Sequence, residues 1–382
     1  SSYKNLYLDY DEMPQPTIIT SDDVNSGSWH TSKFNFEFSA GITTLNTVYY
    51  YYTVTNDENK TTSTETSLAA SKAKATLTMN KTQNVTFYIK ICNNNNKSVC
   101  SKYTTYDLKQ DIATIKVTPK VVGTAPSTTN WSKTRAFTLT NNSASGTDHY
   151  EYVISNNTTV PTEATISDYE IIRLDTNEVT ITSTTKYAFF RVIDKAGTIS
   201  AWTTAQNVFV DSDAIEKPEV VSSDKVTSGN WHVADVTLTA TTTSTPISGI
   251  IYKYYTSLDT TLKTASGSKI TYTTNTVDSP IAYYFVACNN AGVCSEATGY
   301  VIRLDKTTLK APTVTHSVTE WTASPKTYKL TQTDNNDIQK YEYYVSDTNT
   351  VPDFSVKPTG ITDNMPEVSE SGTYVFFRAV KD

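Results

Sequence analysis

The chain has 382 residues, enough for two to four domains of ordinary size and too many for one antiparallel sandwich. Hydrophobic residues are 37% and charged residues 19%, yet aromatics reach 11% with 26 Tyr, and disordered chains are poor in aromatics. Thr is the commonest residue and helix formers are scarce, which argues against a helical bundle or an α/β enzyme; a net charge of −7 with no basic cluster argues against nucleic acid or an anionic membrane as partner.

Ser1-Ser2-Tyr3 opens directly on strand-like sequence with no signal peptide, as in a mature or excised fragment, and no apolar run nears the roughly 20 residues of a membrane span. Residues 1–10, with Tyr3, Leu6, Leu8 and Asp9, match the closing strand of a unit that would precede the first. Residues 11–111 then read as a first repeat. Phe34-Asn35-Phe36-Glu37-Phe38 alternates with period two, so one face packs and the other is wet. Leu68 to Leu77 could form a short helix or a strand. A second repeat spans 112–211 and a third 212–306, where Val236-Thr237-Leu238-Thr239-Ala240 alternates in the same way. The fourth, 307–382, stops at Val380-Lys381-Asp382 where a final hairpin should turn, so its closing strand is missing.

The period rests on four concordant markers. Trp29, Trp131, Trp231 and Trp321 are 102, 100 and 90 residues apart. Each is followed 19–21 residues later by a Tyr-x-Tyr strand: Tyr50 and Tyr52, Tyr150 and Tyr152, Tyr252 and Tyr254, Tyr341 and Tyr343. Aromatic strands follow at Thr86-Phe87-Tyr88-Ile89, Tyr187-Ala188-Phe189-Phe190, Tyr283-Tyr284-Phe285-Val286 and Tyr374-Val375-Phe376-Phe377. Asp111, Asp211 and Asp305 close the first three units. Short strands broken by turn residues every 8–12 positions predict an all-β fold, a rod-like tandem array of immunoglobulin-like antiparallel sandwiches about 150 Å long.

A second order of repetition overlies the first. Units one and three share Ser26-Gly27-Ser28-Trp29-His30 and Ser228-Gly229-Asn230-Trp231-His232, and each carries a cysteine pair. Units two and four share Tyr150-Glu151-Tyr152-Val153-Ile154-Ser155 and Tyr341-Glu342-Tyr343-Tyr344-Val345-Ser346 and have no cysteine. The array reads A-B-A-B, the product of duplicating a two-domain segment.

Asp194-Lys195-Ala196-Gly197-Thr198-Ile199-Ser200 and Asn289-Asn290-Ala291-Gly292-Val293-Cys294-Ser295 resemble the Asp-x-Ala-Gly-x-x-Ser hairpin of bacterial immunoglobulin-like (Big-type) repeats, where it joins the last two strands of each sandwich. Val301-Ile302-Arg303-Leu304-Asp305-Lys306-Thr307 with Ala311-Pro312-Thr313-Val314-Thr315 resembles that family's boundary between domains. The likeness covers the whole chain, although the Cys92 to Cys100 segment is two residues longer and lacks Ala-Gly. It implies a tandem segment of a large bacterial cell-surface protein, a stalk or an adhesin, and no reaction. The abundance of Asn, Lys, Ile and Tyr is also the bias of an AT-rich, low-GC bacterial genome.

The candidate site residues are few. Cys92 with Cys100 and Cys288 with Cys294 could be metal half-sites, but no His or further Cys accompanies either pair and zinc needs four ligands. Facing residues of an antiparallel pair suit a disulfide, and disulfides place the chain outside a reducing cytosol, in keeping with the cell-surface location that the resemblance implies. They serve either as stability clamps or as staples on a loop tip presented to a ligand. The repeat tryptophans and Trp202 are either packed on the sandwich or sugar-stacking platforms. Half of the tyrosines should face the core, and the rest could form an outer aromatic strip. Histidines 30, 149, 232 and 316 are scattered and suggest no catalytic or metal cluster. Calcium at Asp9, Asp11 and Glu12, or at Asp211 and Asp213, lacks the dense Asp/Asn spacing of a dedicated site, so neither a metal nor a cofactor is expected. The sequons Asn84-Val85-Thr86 and Asn96-Lys97-Ser98 follow from composition alone.

No nucleophile elbow, phosphate loop or HExxH run is present, so no catalytic residue is assigned and the chain is read as no enzyme. The expected function is a non-catalytic extracellular stalk or adhesin, with a host glycan or glycoprotein as candidate partner. Accessory domains of a carbohydrate-active enzyme are the alternative. The fragment is expected to be monomeric; a head-to-tail exchange, in which residues 1–9 of one copy complete unit four of the next, is the competing arrangement.

Overall fold

The computed structural model describes residues 13–41, 47–69, 74–93, 99–273, 280–315, 321–332, 338–355, 358, 360–362 and 366–381. The proposed strand over residues 1–10, the Asp9–Glu12 cluster, His316 and the Asn96 sequon lie outside them. By compactness the chain forms two units: Ser1–Asp213 with Asn290–Val293, and Ala214–Asn289 with Cys294–Asp382.

Sheets pair within four successive stretches, called here modules one to four. Module two shows the plan at its plainest. One sheet has Arg135–Asn141 at its centre, flanked by Val117–Val121 and Glu178–Ile181; the other runs Ile172–Leu174, Thr147–Ser155, Thr185–Asp194, Gln206–Val210. All of these pairings are antiparallel. Alternation puts Phe137, Leu139, Phe190, Val192 and Val208 between the two sheets and leaves the intervening residues outside.

Modules one and three repeat the plan with an addition. Their first sheets centre on Phe34–Ser39 and Val236–Thr241. Their second sheets gain a two-residue strand, Trp29–His30 or Trp231–His232, which pairs in parallel with the closing strand Thr104–Gln110 or Thr298–Leu304. Phe34, Phe36 and Phe38 point inward and are fully or almost fully buried; in module three Val236, Leu238 and Ala240 take these places. Emptying one such aromatic position costs about 3–5 kcal/mol. Where Leu68 to Leu77 allowed a helix, the described residues are strands, Thr66–Ala69 and Lys74–Met79, the second burying Ala75 and Met79 against Phe38 and Phe34. The described helix content is one 3-10 turn, Ile166–Asp168.

In module four, Gly360–Thr362, Ile338–Ser346 and Tyr374–Lys381 form one sheet, and short pairs join Thr313–Thr315 to Lys329–Thr331 and Lys326–Thr327 to Glu367–Val368.

Candidate functional site

Three features stand outside simple sheet packing: the hairpins before the closing strands, the outer sheet faces, and the sandwich ends where the loop before each tryptophan meets the core.

The hairpins share one device. Ser200 Oγ accepts the Val192 N–H at 3.0 Å and donates to the Ala201 carbonyl at 2.9 Å, while the Ser200 N–H binds the Val192 carbonyl. Ser101 and Ser295 repeat this with Ile91 and Ala287. Gly197 and Gly292 have φ of +84° and +83°, the left-handed turn that a side chain would strain. Asp194 Oδ1 holds the turn from inside by accepting the Ala196 and Thr198 N–H groups. Disulfides join Cys92 to Cys100 and Cys288 to Cys294, with Cα atoms 4.1 and 4.0 Å apart. In module two the same facing position is the pair Ile193 and Ile199. Each disulfide therefore reinforces a hairpin that its serine already closes.

The outer faces differ by module. In module one Tyr52 and Tyr88 face each other in register and stack at 4.8 Å, with Tyr103 edge-on to both. Lys90 lies over the rings of Tyr103 and Tyr50 and pairs with Glu65 at 2.8 Å, and Tyr103 donates its hydroxyl to Glu65. These bonds hold the Glu65 carboxyl below its usual range, first through Lys90, and burial opposes them. Module three keeps the stacked pair as Tyr255 and Tyr284, with Val286 at the position of Lys90. Module two has a charged row instead: Arg191 stacks on Trp202 at 4.5 Å and binds Glu151 at 2.6 Å, and Glu151 faces His149, which binds Asp148. Module four repeats it with Arg378 over Phe354, Glu342, and Lys340 in place of the histidine.

At the sandwich ends of modules one and three the histidines are fully buried. His30 Nδ1 lies 2.7 Å from Asp22 Oδ2 and Nε2 lies 3.1 Å from Tyr106 Oη; His232 repeats this with Asp224 at 2.7 Å and Tyr300 at 3.4 Å. Tyr106 and Tyr300 donate to the carbonyls of Val24 and Val226 at 2.7 and 2.5 Å. Burial pushes the Tyr106 hydroxyl up to about 12, with the Asp22 carboxylate adding to it. In module two, Arg135 occupies the strand position of Phe34 and is buried. Its guanidinium donates to the carbonyls of Val208, Thr124 and Asn130 at 3.0, 2.9 and 3.1 Å. Burial pushes its pKa down.

The predicted residues thus fall in separate places. The cysteines sit on hairpins and the tyrosines split between core and outer face. Trp131 packs edge-on against Phe209, Trp202 on Arg191, and Trp231 near Arg303. Trp321, at 87% exposed, does not pack as Trp131, Trp202 and Trp231 do. Asp111 and Asp211 are fully buried. The Asp111 carboxylate accepts the Ser145 and Ala113 N–H groups, which ties the first repeat's closing residue to the second module. Among the described residues no three His, Cys, Asp or Glu gather as metal ligands.

The paired histidines were missed in the sequence because their carboxylate partners stand eight residues upstream. The signal was available: Ser21-Asp22-Asp23-Val24-Asn25-Ser26-Gly27-Ser28-Trp29-His30 recurs as Ser223-Asp224-Lys225-Val226-Thr227-Ser228-Gly229-Asn230-Trp231-His232.

No protein family and no curated protein matches the sequence. Among solved structures, the chain is similar to the fibronectin(III)-like modules of Clostridium thermocellum CbhA, at 13% identity and a TM-score of 0.27, over 49% of this chain and 94% of that one. It is also similar to the FN1-FN3 domains of chicken CNTN1, at 12% identity and a TM-score of 0.27, over 76% of this chain and 99% of that one. The chain's own strand pairing makes it a succession of mainly antiparallel β-sandwiches. Neither a fold family nor an activity is carried over from these likenesses.

Proposed function

We propose that the chain is a non-catalytic extracellular segment of a bacterial surface protein and works as a spacer. The observation that carries this reading is where the polar side chains are engaged. The buried histidines and Arg135 close their own loops onto the core, the hairpin serines and Asp194 bind their own turns, and Asp111 binds the next module. Groups held in this way are occupied by structure, not presented to a substrate. The two disulfides support an oxidising location.

The tyrosine face of module one favours a second reading, an adhesin engaging a host glycan or glycoprotein. Tyr103 and the pair Tyr52 and Tyr88 stay half-buried on an outer face, and module three shows that this scaffold folds with only the stacked pair. A binding screen of the purified, disulfide-intact chain against glycans and mucosal glycoproteins separates the two. Silence across the panel is expected of a spacer. Saturable binding that Tyr103→Ala abolishes would replace the spacer reading with the adhesin.

A further inference from the structure

We propose that His30 and His232 stand as imidazolium ions in the folded chain, and that each type A module carries a proton-dependent latch closing the end of its sandwich. The assignment follows from matching donors to acceptors. The carbonyl of Val24 can only accept, and it takes Tyr106 Oη at 2.7 Å and Thr20 Oγ1 at 2.9 Å. The tyrosine proton is therefore committed to Val24, and the side of Tyr106 Oη that meets His30 Nε2 offers a lone pair. Nε2 must carry a hydrogen to make that contact. Nδ1 must carry one too, because its partner at 2.7 Å is a carboxylate oxygen. A ring that donates from both nitrogens is the cation.

Module three repeats each step. Val226 accepts from Tyr300 and from Ser222 Oγ, Tyr300 meets His232 Nε2, and Asp224 meets Nδ1. The surroundings suit a cation paired with one carboxylate. His30 stacks on the uncharged Phe34 at 3.8 Å, and the residue in register with it on the closing strand is the neutral Gln110; for His232 that residue is Leu304. Among the described residues, Asp22 and Asp224 are the charged groups within ion-pair distance of the two rings. Asp22 Oδ1 is buried without a hydrogen-bond partner, and the His30 ring is the group in ion-pair contact with this carboxylate.

In loops 21–28 and 223–230 the valine carbonyls take a local bond from Thr20 or Ser222, and the tyrosine ties each of them to the closing strand, beside the bonds from Gly27 to Asp107 and from Gly229 to Val301. Loss of the Nε2 proton sets two lone pairs against each other, and relief requires the tyrosine hydroxyl to turn from the valine to the ring, which removes one of the loop's ties to the closing strand. Module two provides the built-in control: loop 122–130 is held by Arg135, whose charge does not leave in the accessible pH range.

Long-range proton–nitrogen spectra of histidine-labelled chain at about pH 6 test the assignment directly. Variants His149→Gln and His316→Gln remove the other two histidine signals. Two rings with hydrogen on both nitrogens are expected; a bare Nε2 in either buried ring of the folded protein overturns the assignment. Hydrogen exchange, corrected for intrinsic rates, tests the latch: raising the pH from about 6 to about 9 should lower protection of 21–28 and 223–230 roughly ten-fold and leave 122–130 unchanged. Tyr106→Phe and Tyr300→Phe should cancel that difference. Equal protection of the three loops at both pH values would refute the latch in the unmodified chain, whatever the variants do.

Discussion

Modules one and two close the same end of the same sandwich with different chemistry. In module one, a histidine on the short parallel strand, an aspartate from the loop and a tyrosine from the closing strand must meet. In module two, one arginine on the central strand of the other sheet reaches three carbonyls alone. The outer faces divide in parallel: stacked tyrosines in type A, an Arg–Glu pair under an aromatic ring in type B. The comparison shows that the scaffold fixes where a polar tie is needed and leaves open what makes it. A buried loop carbonyl needs a donor, and any donor of the right reach will do.

The largest break in this comparison is expected at Arg135. Arg135→Ala leaves three carbonyls without their donor in the sandwich end and should cost about 3 kcal/mol or more, read as a lowered urea midpoint for module two by hydrogen exchange. A smaller effect is expected when module three is given the hairpin of module two. Cys288→Ile with Cys294→Ile should cost about 2–3 kcal/mol by loss of the cross-link, yet the turn should persist because Ser295 still binds Ala287. Thermal unfolding in oxidising buffer measures both.

Acid should act next. Burial works against the Asp224 charge, but its contacts with His232, Ser222 and the Val226 N–H outweigh it and hold the carboxyl below its usual range. The unfolded chain then binds this proton more readily than the folded one. The contribution is fully present above the ordinary carboxyl value of about 3.9 and is lost as pH falls below it. The difference in Tm between wild type and Asp224→Asn should therefore shrink between about pH 6 and pH 2.5; a constant gap would contradict this account.

The smallest effects concern strain. Lys225 and Phe209 both have positive φ, +62° and +47°. Lys225→Gly should stabilise module three by about 0.5–1 kcal/mol, because only backbone strain is removed. Phe209→Gly should destabilise module two, since the Phe209 ring packs on Trp131 and Tyr187.

The period of the array was legible because it rests on large aromatics at fixed places: a tryptophan before a strand, a Tyr-x-Tyr strand whose register follows from alternation. The stretch from Leu68 to Leu77 was ambiguous because its Ala and Lys suit a helix in isolation; pairing with Phe34–Ser39 decides for strand. Trp321 shows the limit of carrying a marker across repeats, since a repeated position keeps its chemistry only where a partner such as Phe209 is repeated too. At the sandwich ends the Asp–His ties left a recurring segment in the sequence, whereas the arginine tie of module two left none. Arg135 finds two acceptors close by, at positions 124 and 130, but its third, at 208, lies 73 residues on, and no local pattern encodes that meeting.

The short parallel strand has a mechanical meaning. Trp29–His30 lies near the start of its module and Lys109–Gln110 at the end, so a pull on the two ends of the module drives these paired segments past each other along their length. The bonds from Gly27 to Asp107 and from Asp111 to His30 then bear load together, as a lap joint does, where a hairpin pulled at its open end would unzip bond by bond. Module two has a shorter joint at this place, the bridge of Ser132 with Val210, made by the Ser132 N–H on the Phe209 carbonyl and the Asp211 N–H on the Ser132 carbonyl. Under tension the type A modules should be the stronger members of the alternating array.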